Sequence, residues 1–160
     1  MMFDHFWRAV AIGIGATALM DLWAIFLNMV FAQPRPNWGL VGRWVWHLRD
    51  GKVFHDDIGE AAPYAHESAL GWAFHYFVGI VYGIILVVLA GAAWLAAPTF
   101  LPAFILGIVT VGAGWFLLAP GMGAGWAASK RPNPMQIRAL NLVSHTVFAL
   151  GLFGTALLIR

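Results

Sequence analysis

Apolar residues fall into four long runs along the chain, and polar connections separate them. The runs cover residues 6–32, 68–92, 99–119 and 137–159. None of them shows the sustained two-residue alternation that is typical of a membrane strand. A helix that crosses a bilayer needs about 20 mostly apolar residues. The pattern therefore predicts four transmembrane helices.

A fifth helical pattern lies in the long connection between the first two runs. Apolar residues recur at helical spacing from Trp38 to Leu48, with Asn37 before them as an N-cap residue and Gly51 just after them. Tryptophans at headgroup depth and arginines near lipid phosphates are typical of a helix that lies on a membrane surface. We expect an amphipathic interfacial helix here, and a lid over a ligand site is the alternative.

The composition narrows the class of protein. Of the 160 residues, 61% are hydrophobic and 10% are charged, against roughly 45–50% and about 25% in soluble domains. A small soluble chain needs polar residues to cover its surface, so a soluble enzyme, a disordered chain and a nucleic-acid-binding domain are excluded. Cysteine is absent, which excludes disulfides and thiolate chemistry. The prediction is one all-α integral-membrane domain over residues 1–160, a four-helix bundle whose partner is the lipid bilayer.

The positions of the positive charges predict an orientation. Of nine Lys and Arg residues, seven lie in the connection 33–66 or at positions 130, 131 and 138. Only Arg8 and Arg160 lie on the side of the two termini. Connections that face the cytoplasm carry an excess of Lys and Arg. The connections 33–66 and 120–136 are therefore predicted to be cytoplasmic, and both termini outside.

Three ionisable residues interrupt the apolar runs, and such residues are functional-site candidates by default. They are Asp21, His75 and His145. At a rise of 1.5 Å per residue, they lie about 15, 10 and 12 Å from the predicted cytoplasmic ends of their helices. This matched depth predicts that they face one another.

The same helices carry stripes of small or polar residues, which let helices approach closely in lipid. Gly79 and Gly83, for example, form a G-x-x-x-G pair. If the stripes meet, they line one polar pocket. If the polar groups only hold the helices together, there is no ligand. The predicted pocket residues are Asp21, Asn28, Glu67, His75, Arg138, Asn141 and His145.

Three kinds of occupant fit the pocket. A carboxylate with two imidazoles suits a transition metal held by Asp21, His75 and His145. Two histidines on facing helices also suit bis-imidazole ligation of haem b. The third possibility is a proton pathway in which a histidine titrates and Asp21 is the carrier or counter-ion.

A weaker metal site is predicted in the first connection. His55, Asp56 and Asp57 are adjacent there, although a solvated acidic turn explains them equally. No catalytic residue is predicted, since Ser144 points about 100° away from His145 around the helix. An enzyme that acts on lipid at the 55–57 turn is therefore the weakest reading.

Several short motifs occur together along the chain. They are Gly42-Arg43-Trp44, Gly51, His55, Ile58, Glu67, Leu70-Gly71-Trp72, His75-Tyr76, Pro120, Met122-Gly123, Gly125, Ala127-Ala128-Ser129 and His145. In these motifs the chain resembles the bacterial membrane proteins grouped as domain of unknown function 2938, and the similarity covers nearly its whole length. The resemblance implies a small four-span protein of the bacterial inner membrane and implies no activity.

These observations favour a membrane protein that binds or transports a metal cation or a proton-coupled small solute. A haem protein and a structural or accessory subunit of a larger complex are the alternatives. Oligomers of the chain are expected, because four spans enclose little volume and stripes of small residues remain available for helix contacts.

Overall fold

The structure is a computed structural model, and it describes residues 2–160. Within these residues the fold is all-helical and contains no strand. A π-helical turn and a short 3-10 turn supplement the α-helices. The elements in chain order are α1 (Met2–Phe31), α2 (Trp38–Leu48), α3 (Glu67–Ala96), α4 (Phe100–Ala113), the π-helical turn Gly114–Leu118, α5 (Ala119–Gly121), the 3-10 turn Trp126–Ala128 and α6 (Pro134–Leu158).

Four helical segments are long and apolar enough to cross a membrane. They are Phe3–Phe31, Glu67–Ala96, Phe100–Gly121 and Pro134–Leu158, and no end differs from the predicted one by more than four residues. The third segment joins α4, the π-helical turn and α5 into one span. The four predicted helices are confirmed, and they fit a multi-pass membrane protein.

One glycine interrupts the second of these segments. Gly91 has φ of +78° and ψ of 177°, which is outside the helical region and is accessible mainly to glycine. The regular part of α3 therefore ends at residue 90, and the last turn takes a new direction.

The predicted helix in the first connection is also confirmed, with the predicted cap. The Asn37 side-chain oxygen accepts a hydrogen bond from the Leu40 backbone N–H at 3.3 Å. Beyond the helix, Gly51 adopts φ of +73° in the turn that reverses the chain. The helix buries Val41, Gly42 and Trp44.

Contacts divide the chain into two compact units. The helical unit comprises residues 2–35, 76–109 and 143–160, and the loop unit comprises residues 36–75 and 110–142. The helical unit consists almost entirely of helix. The loop unit contains α2, the π-helical turn, α5, the 3-10 turn, the irregular segments that join them, and end portions of α3, α4 and α6.

Close helix contacts build the helical unit. A side chain at Gly13 would overlap the backbone of Gly79 in α3, and one at Gly83 would overlap the Ala9 carbonyl in α1. A side chain at Gly151 in α6 would overlap Ala16 of α1. Small residues thus let α1 touch both neighbours, as the G-x-x-x-G pair predicts. The fully buried core side chains include Ile12, Leu86, Leu95 and Leu152.

The loop unit brings α2 against the start of α3 in the same way. A side chain at Gly42 would overlap the Glu67 carbonyl, and one at Gly71 would overlap the Trp38 carbonyl. The reciprocal pair of glycines lets the two backbones touch. That contact places the polar side chains of α2 beside the first turn of α3.

Candidate functional site

Arg43 is the centre of the polar network in the loop unit. Its Nε donates to Glu67 Oε2 at 2.8 Å, and its Nη2 donates to Glu67 Oε1 at 2.9 Å. Its Nη1 reaches the carbonyl oxygens of Ile58, Gly59 and Ala61 at 3.3, 2.9 and 3.1 Å. A guanidinium has five N–H donors in a planar fork; the Arg43 nitrogens reach five oxygens, and the two Nη1 N–H groups are shared among three carbonyls. This side chain therefore ties α2, the loop and α3 together.

The carboxylate of this pair lies at the first residue of α3. Glu67 Oε2 also accepts from the Tyr64 backbone N–H at 3.3 Å, and the N-terminus of a helix favours negative charge. The side chains of Arg43 and Glu67 are 12% and 23% exposed. The hydrogen bond to Glu67 raises the pKa of Arg43 above its ordinary value, so the guanidinium stays charged. A bidentate pair of this kind is stronger than a neutral hydrogen bond.

Two histidines form a chain of hydrogen bonds beside this pair. His47 Nδ1 lies 3.0 Å from His55 Nε2, His47 Nε2 lies 3.0 Å from the Ala62 carbonyl, and His55 Nδ1 lies 3.1 Å from the Gly121 carbonyl. His55 is buried, at 7% exposure. The chain links α2 and its following loop to the end of the third apolar segment.

The number of protons in this chain follows from its acceptors. The Ala62 and Gly121 carbonyls only accept, so His47 Nε2 and His55 Nδ1 each carry a proton when all three bonds form. One further proton lies between the two facing nitrogens. All three hydrogen bonds can therefore form together only when the two rings share three protons.

Asp21 in the helical unit has a phenol as its partner. The Tyr76 hydroxyl donates to Asp21 Oδ2 at 3.0 Å. Both residues lie inside apolar segments that are long enough to span a membrane. An ionised carboxylate is costly in such a segment unless a donor satisfies it.

His145 in the same unit is oriented by a backbone carbonyl. Its Nδ1 lies 3.0 Å from the Gly107 carbonyl in α4, so this nitrogen carries the proton and Nε2 carries the lone pair of the neutral ring. A side chain at Gly107 would overlap the His145 carbonyl. The glycine therefore lets α4 approach closely enough to fix the imidazole.

His75 belongs to the loop unit and is held by aromatic rings. Its imidazole stacks on Trp38 with ring centroids 3.8 Å apart and an interplanar angle of 23°. Trp72 meets the same imidazole edge-on at 5.9 Å. The Trp38 ring belongs to α2, so this stack adds to the packing of α2 on α3.

The chain matches a known protein family over nearly its whole length. The family described as "Protein of unknown function (DUF2938)" matches residues 10–159. The chain belongs to this family. No match to the chain was found among curated proteins or among solved structures.

The other predicted pocket residues of this DUF2938 protein form hydrogen bonds with backbone carbonyls or with an indole N–H. Asn28 Nδ2 donates to the Gln33 carbonyl at 2.9 Å at the end of α1. Arg138 Nε donates to the Ala127 carbonyl at 2.8 Å. With its amide turned to match its neighbours, Asn141 accepts from Trp115 Nε1 at 3.0 Å. Each of the three side chains therefore has a local structural partner.

The weaker predicted ligand set, His55, Asp56 and Asp57, is not assembled as a metal centre. Across residues 2–160, no three His, Asp or Glu side chains come together in a group that could hold a metal ion. In the weaker set, His55 is turned to His47 and Gly121, while Asp57 Oδ1 accepts from the Gly59 backbone N–H at 2.7 Å. Asp56 is exposed. Adjacent positions in an irregular loop thus point to different partners.

Three important residues of this DUF2938 protein were not predicted as site residues. Arg43 and Tyr76 belong to the motifs that carry the family resemblance, which is the signal that singles them out. Their partners, Glu67 and Asp21, lie 24 and 55 residues away along the chain. The pairing of His47 with His55 depends on how the loop folds back, and no spacing rule predicts it.

Proposed function

We propose that this chain is a bacterial inner-membrane protein that moves a small solute or cation coupled to protons, with Asp21 and His145 carrying the proton. The supporting observation is that both groups lie in apolar segments of one unit, each held by a specific hydrogen bond. Ionisable residues inside membrane segments commonly form proton relays.

Each of the two groups has a second protonation state that its partner tolerates. Asp21 as a carboxylate accepts from the Tyr76 hydroxyl, and as a carboxylic acid it can still accept with its carbonyl oxygen. His145 keeps its Nδ1 proton on Gly107 in both states, because protonation takes place at Nε2. Proton uptake at either residue therefore requires no loss of the hydrogen bond that positions it.

The test is proton movement into sealed proteoliposomes. The purified protein is reconstituted with a pH-sensitive dye inside, and Mn²⁺, Co²⁺, Zn²⁺ or single amino acids are added outside. We expect at least one probe to move protons with wild-type protein. The variants Asp21→Asn and His145→Gln should fall to the level of protein-free liposomes.

A matched control is available one residue from His145. Ser144 Oγ accepts from Trp23 Nε1 at 3.2 Å, so Ser144→Ala removes a polar contact at the same depth but no titratable group. Proton movement should survive this change. Wild-type rates in both Asp21→Asn and His145→Gln would contradict the proposal.

The metal and haem alternatives are tested by one preparation. The absorption spectrum and elemental analysis of protein purified in mild detergent report both cofactors. A Soret band that disappears in His75→Ala and in His145→Ala would replace the transport proposal with a haem protein. A stoichiometric transition metal that depends on Asp21, His75 and His145 would replace the proton pathway with a metal site.

A structural or accessory role is the second candidate, and the loop unit favours it. Its predicted pocket residues Glu67, Arg138 and Asn141 contact neighbouring side chains or backbone, and His75 stacks on Trp38. In this case His75→Gln and His145→Gln should both retain wild-type behaviour in cells. The protein should also co-purify with a larger complex.

The proposed orientation has its own test. The natural sequence has no cysteine, so a single introduced cysteine gives an unambiguous labelling site. Lys52→Cys should be shielded from an impermeant maleimide in whole cells, and Asp4→Cys should be labelled. The opposite pattern would reverse the predicted orientation.

A further inference from the structure

Two loop segments of the loop unit are joined by a short seam of hydrogen bonds. The His55 backbone N–H donates to the Gly121 carbonyl at 3.0 Å, and the Ile58 backbone N–H donates to the Met122 carbonyl at 3.3 Å. A side chain at Gly123 would overlap the Asp56 carbonyl. The segments 55–58 and 121–124 are thus held as one rigid base.

A cavity of about 150 Å³ opens beside this seam. A single water needs only roughly 10–15 Å³ of such space, so the cavity accommodates a group of several atoms. The chain around it is fixed, because the Lys130 N–H donates to the Ala124 carbonyl and the Arg131 N–H to the Ala128 carbonyl, both at 3.0 Å. The lining residues are Asp57, Met122, Gly123, Ala124, Lys130 and Arg131.

The cavity has charges of both signs. Among residues 2–160, the ion pairs are formed by Arg8, Arg43 and Arg49, so neither Lys130 nor Arg131 neutralises a carboxylate. The two cations are exposed and lie on the wall that also carries Asp57. The lining therefore offers two cationic groups and one carboxylate.

The position of the cavity along the chain suggests the source of a ligand. Lys130 and Arg131 lie in the connection between the apolar segments Phe100–Gly121 and Pro134–Leu158. Trp126 in the same connection is 60% exposed, and exposed tryptophans are enriched where a protein meets lipid headgroups. A short connection between two spans lies at that level.

We propose that this cavity binds a phosphoethanolamine group, with Arg131 and Lys130 on the phosphate and Asp57 on the ammonium. Arg recognises phosphate through paired N–H donors, and Lys adds a point charge. An anion alone leaves the charge of Asp57 without a cationic partner, whereas a phosphate that carries an amine matches both signs of the lining. The same group occurs in an ethanolamine phospholipid and in free phosphoethanolamine.

The experiment measures binding to the full-length protein in a neutral detergent. The probes are short-chain phosphatidylethanolamine, phosphatidylglycerol and phosphatidylcholine with equal acyl chains, free phosphoethanolamine, and inorganic phosphate. Phosphatidylethanolamine should bind more tightly than the other two lipids. Tight binding of the lipid alone identifies a membrane source, and equal binding of free phosphoethanolamine identifies a soluble source.

Three variants assign the contacts. The double variant Lys130→Gln/Arg131→Gln should weaken phosphatidylethanolamine binding at least about tenfold, as expected for loss of hydrogen bonds to a charged group. Asp57→Asn keeps an acceptor for the Gly59 N–H, and it should shift the preference from phosphatidylethanolamine to phosphatidylglycerol. Lys52→Gln removes an exposed cation outside the cavity and should leave the affinity unchanged.

Two results would overturn the proposal. One is equal affinity in the double variant and in Lys52→Gln, with both variants showing wild-type thermal unfolding. The other is competition by inorganic phosphate as strong as that by phosphoethanolamine, with no effect of Asp57→Asn on the lipid preference. No step of this test requires transport, so its outcome is independent of the proton pathway.

Discussion

The helical unit and the loop unit place similar helices in contact but satisfy their polar groups differently. In the helical unit, most backbone groups bond within regular helices, and Gly13, Gly83 and Gly151 let the helices touch. In the loop unit, side chains donate to backbone carbonyls of irregular segments. Arg43 alone reaches three of these carbonyls.

The difference follows from what each backbone leaves unpaired. A buried carbonyl without a hydrogen-bond donor costs free energy. Irregular segments have many carbonyls that no backbone N–H of a helix satisfies. Trp44 Nε1 donates to the Val53 carbonyl at 2.8 Å, and Arg138 Nε donates to the Ala127 carbonyl. Polar side chains near a membrane thus have two possible uses, ligand chemistry and completion of a loop. The group that a polar side chain contacts distinguishes these two uses better than its residue type does.

The largest expected loss of stability comes from replacing Arg43, the centre of the polar network in the loop unit. Arg43→Met removes the guanidinium that donates to the Glu67 carboxylate and to three backbone carbonyls. We expect a loss of about 3 kcal/mol in the free energy of unfolding, as for one broken partner of a largely buried pair. Unfolding in mixed micelles with increasing sodium dodecyl sulfate, followed by circular dichroism, measures it.

The control for this variant is a second arginine near the end of the same helix. Arg49 pairs with Asp50 at 3.4 Å, and the two side chains are 55% and 64% exposed. Arg49→Met should change stability by less than about 1 kcal/mol, since exposed pairs contribute little. Equal losses in the two arginine variants would show that Arg43 does not organise the loop unit.

The next largest loss of stability tests the close glycine contacts between helices, which occur in both units. Gly83→Ala in the helical unit and Gly71→Ala in the loop unit each place a methyl group against a backbone carbonyl. Each should lose about 1–3 kcal/mol, the usual cost of overpacking. Gly154 has open space at the same atom, so Gly154→Ala should not destabilise. A neutral Gly83→Ala variant would contradict the close contact of α1 with α3.

Local signals predict much of this fold and less of its site. The apolar runs identify the four long helices, and Asn37 identifies the start of α2, because both signals act over a few residues. The partner of Arg43 depends on the approach of α2 to α3. The glycines at positions 42 and 71 make this approach possible, but their presence in the sequence does not predict it. The matched depths of Asp21, His75 and His145 say nothing about which neighbour each ring or carboxylate contacts.

A smaller effect concerns the histidine pair. His47→Ala and His55→Ala each break the hydrogen bond between the two imidazoles, so their effects on stability should not add. A double-mutant cycle should give a coupling free energy of about 1 kcal/mol, within the usual range for residues in contact. Additive losses would mean that the two rings do not share a proton. ¹⁵N chemical shifts of the two imidazoles report the shared proton directly.

The smallest expected loss of stability comes from removing one side-chain hydrogen bond of the helical unit. Tyr76→Phe removes the hydroxyl that donates to Asp21, and hydrogen bonds between membrane helices average about 0.6 kcal/mol. The comparison variant is Tyr82→Phe, where the ring packs edge-on against Phe148 at 6.2 Å. A loss of several kcal/mol in Tyr76→Phe would mean that the helical unit also depends on a polar centre.

The break at Gly91 sets the length of membrane that α3 matches. An uninterrupted helix over Glu67–Ala96 would reach about 45 Å at 1.5 Å per residue, well beyond a hydrocarbon core of about 30 Å. The regular part, residues 67–90, reaches about 36 Å, which a modest tilt accommodates. A single backbone conformation at Gly91 thus shortens the straight part of α3 toward the thickness of a hydrocarbon core.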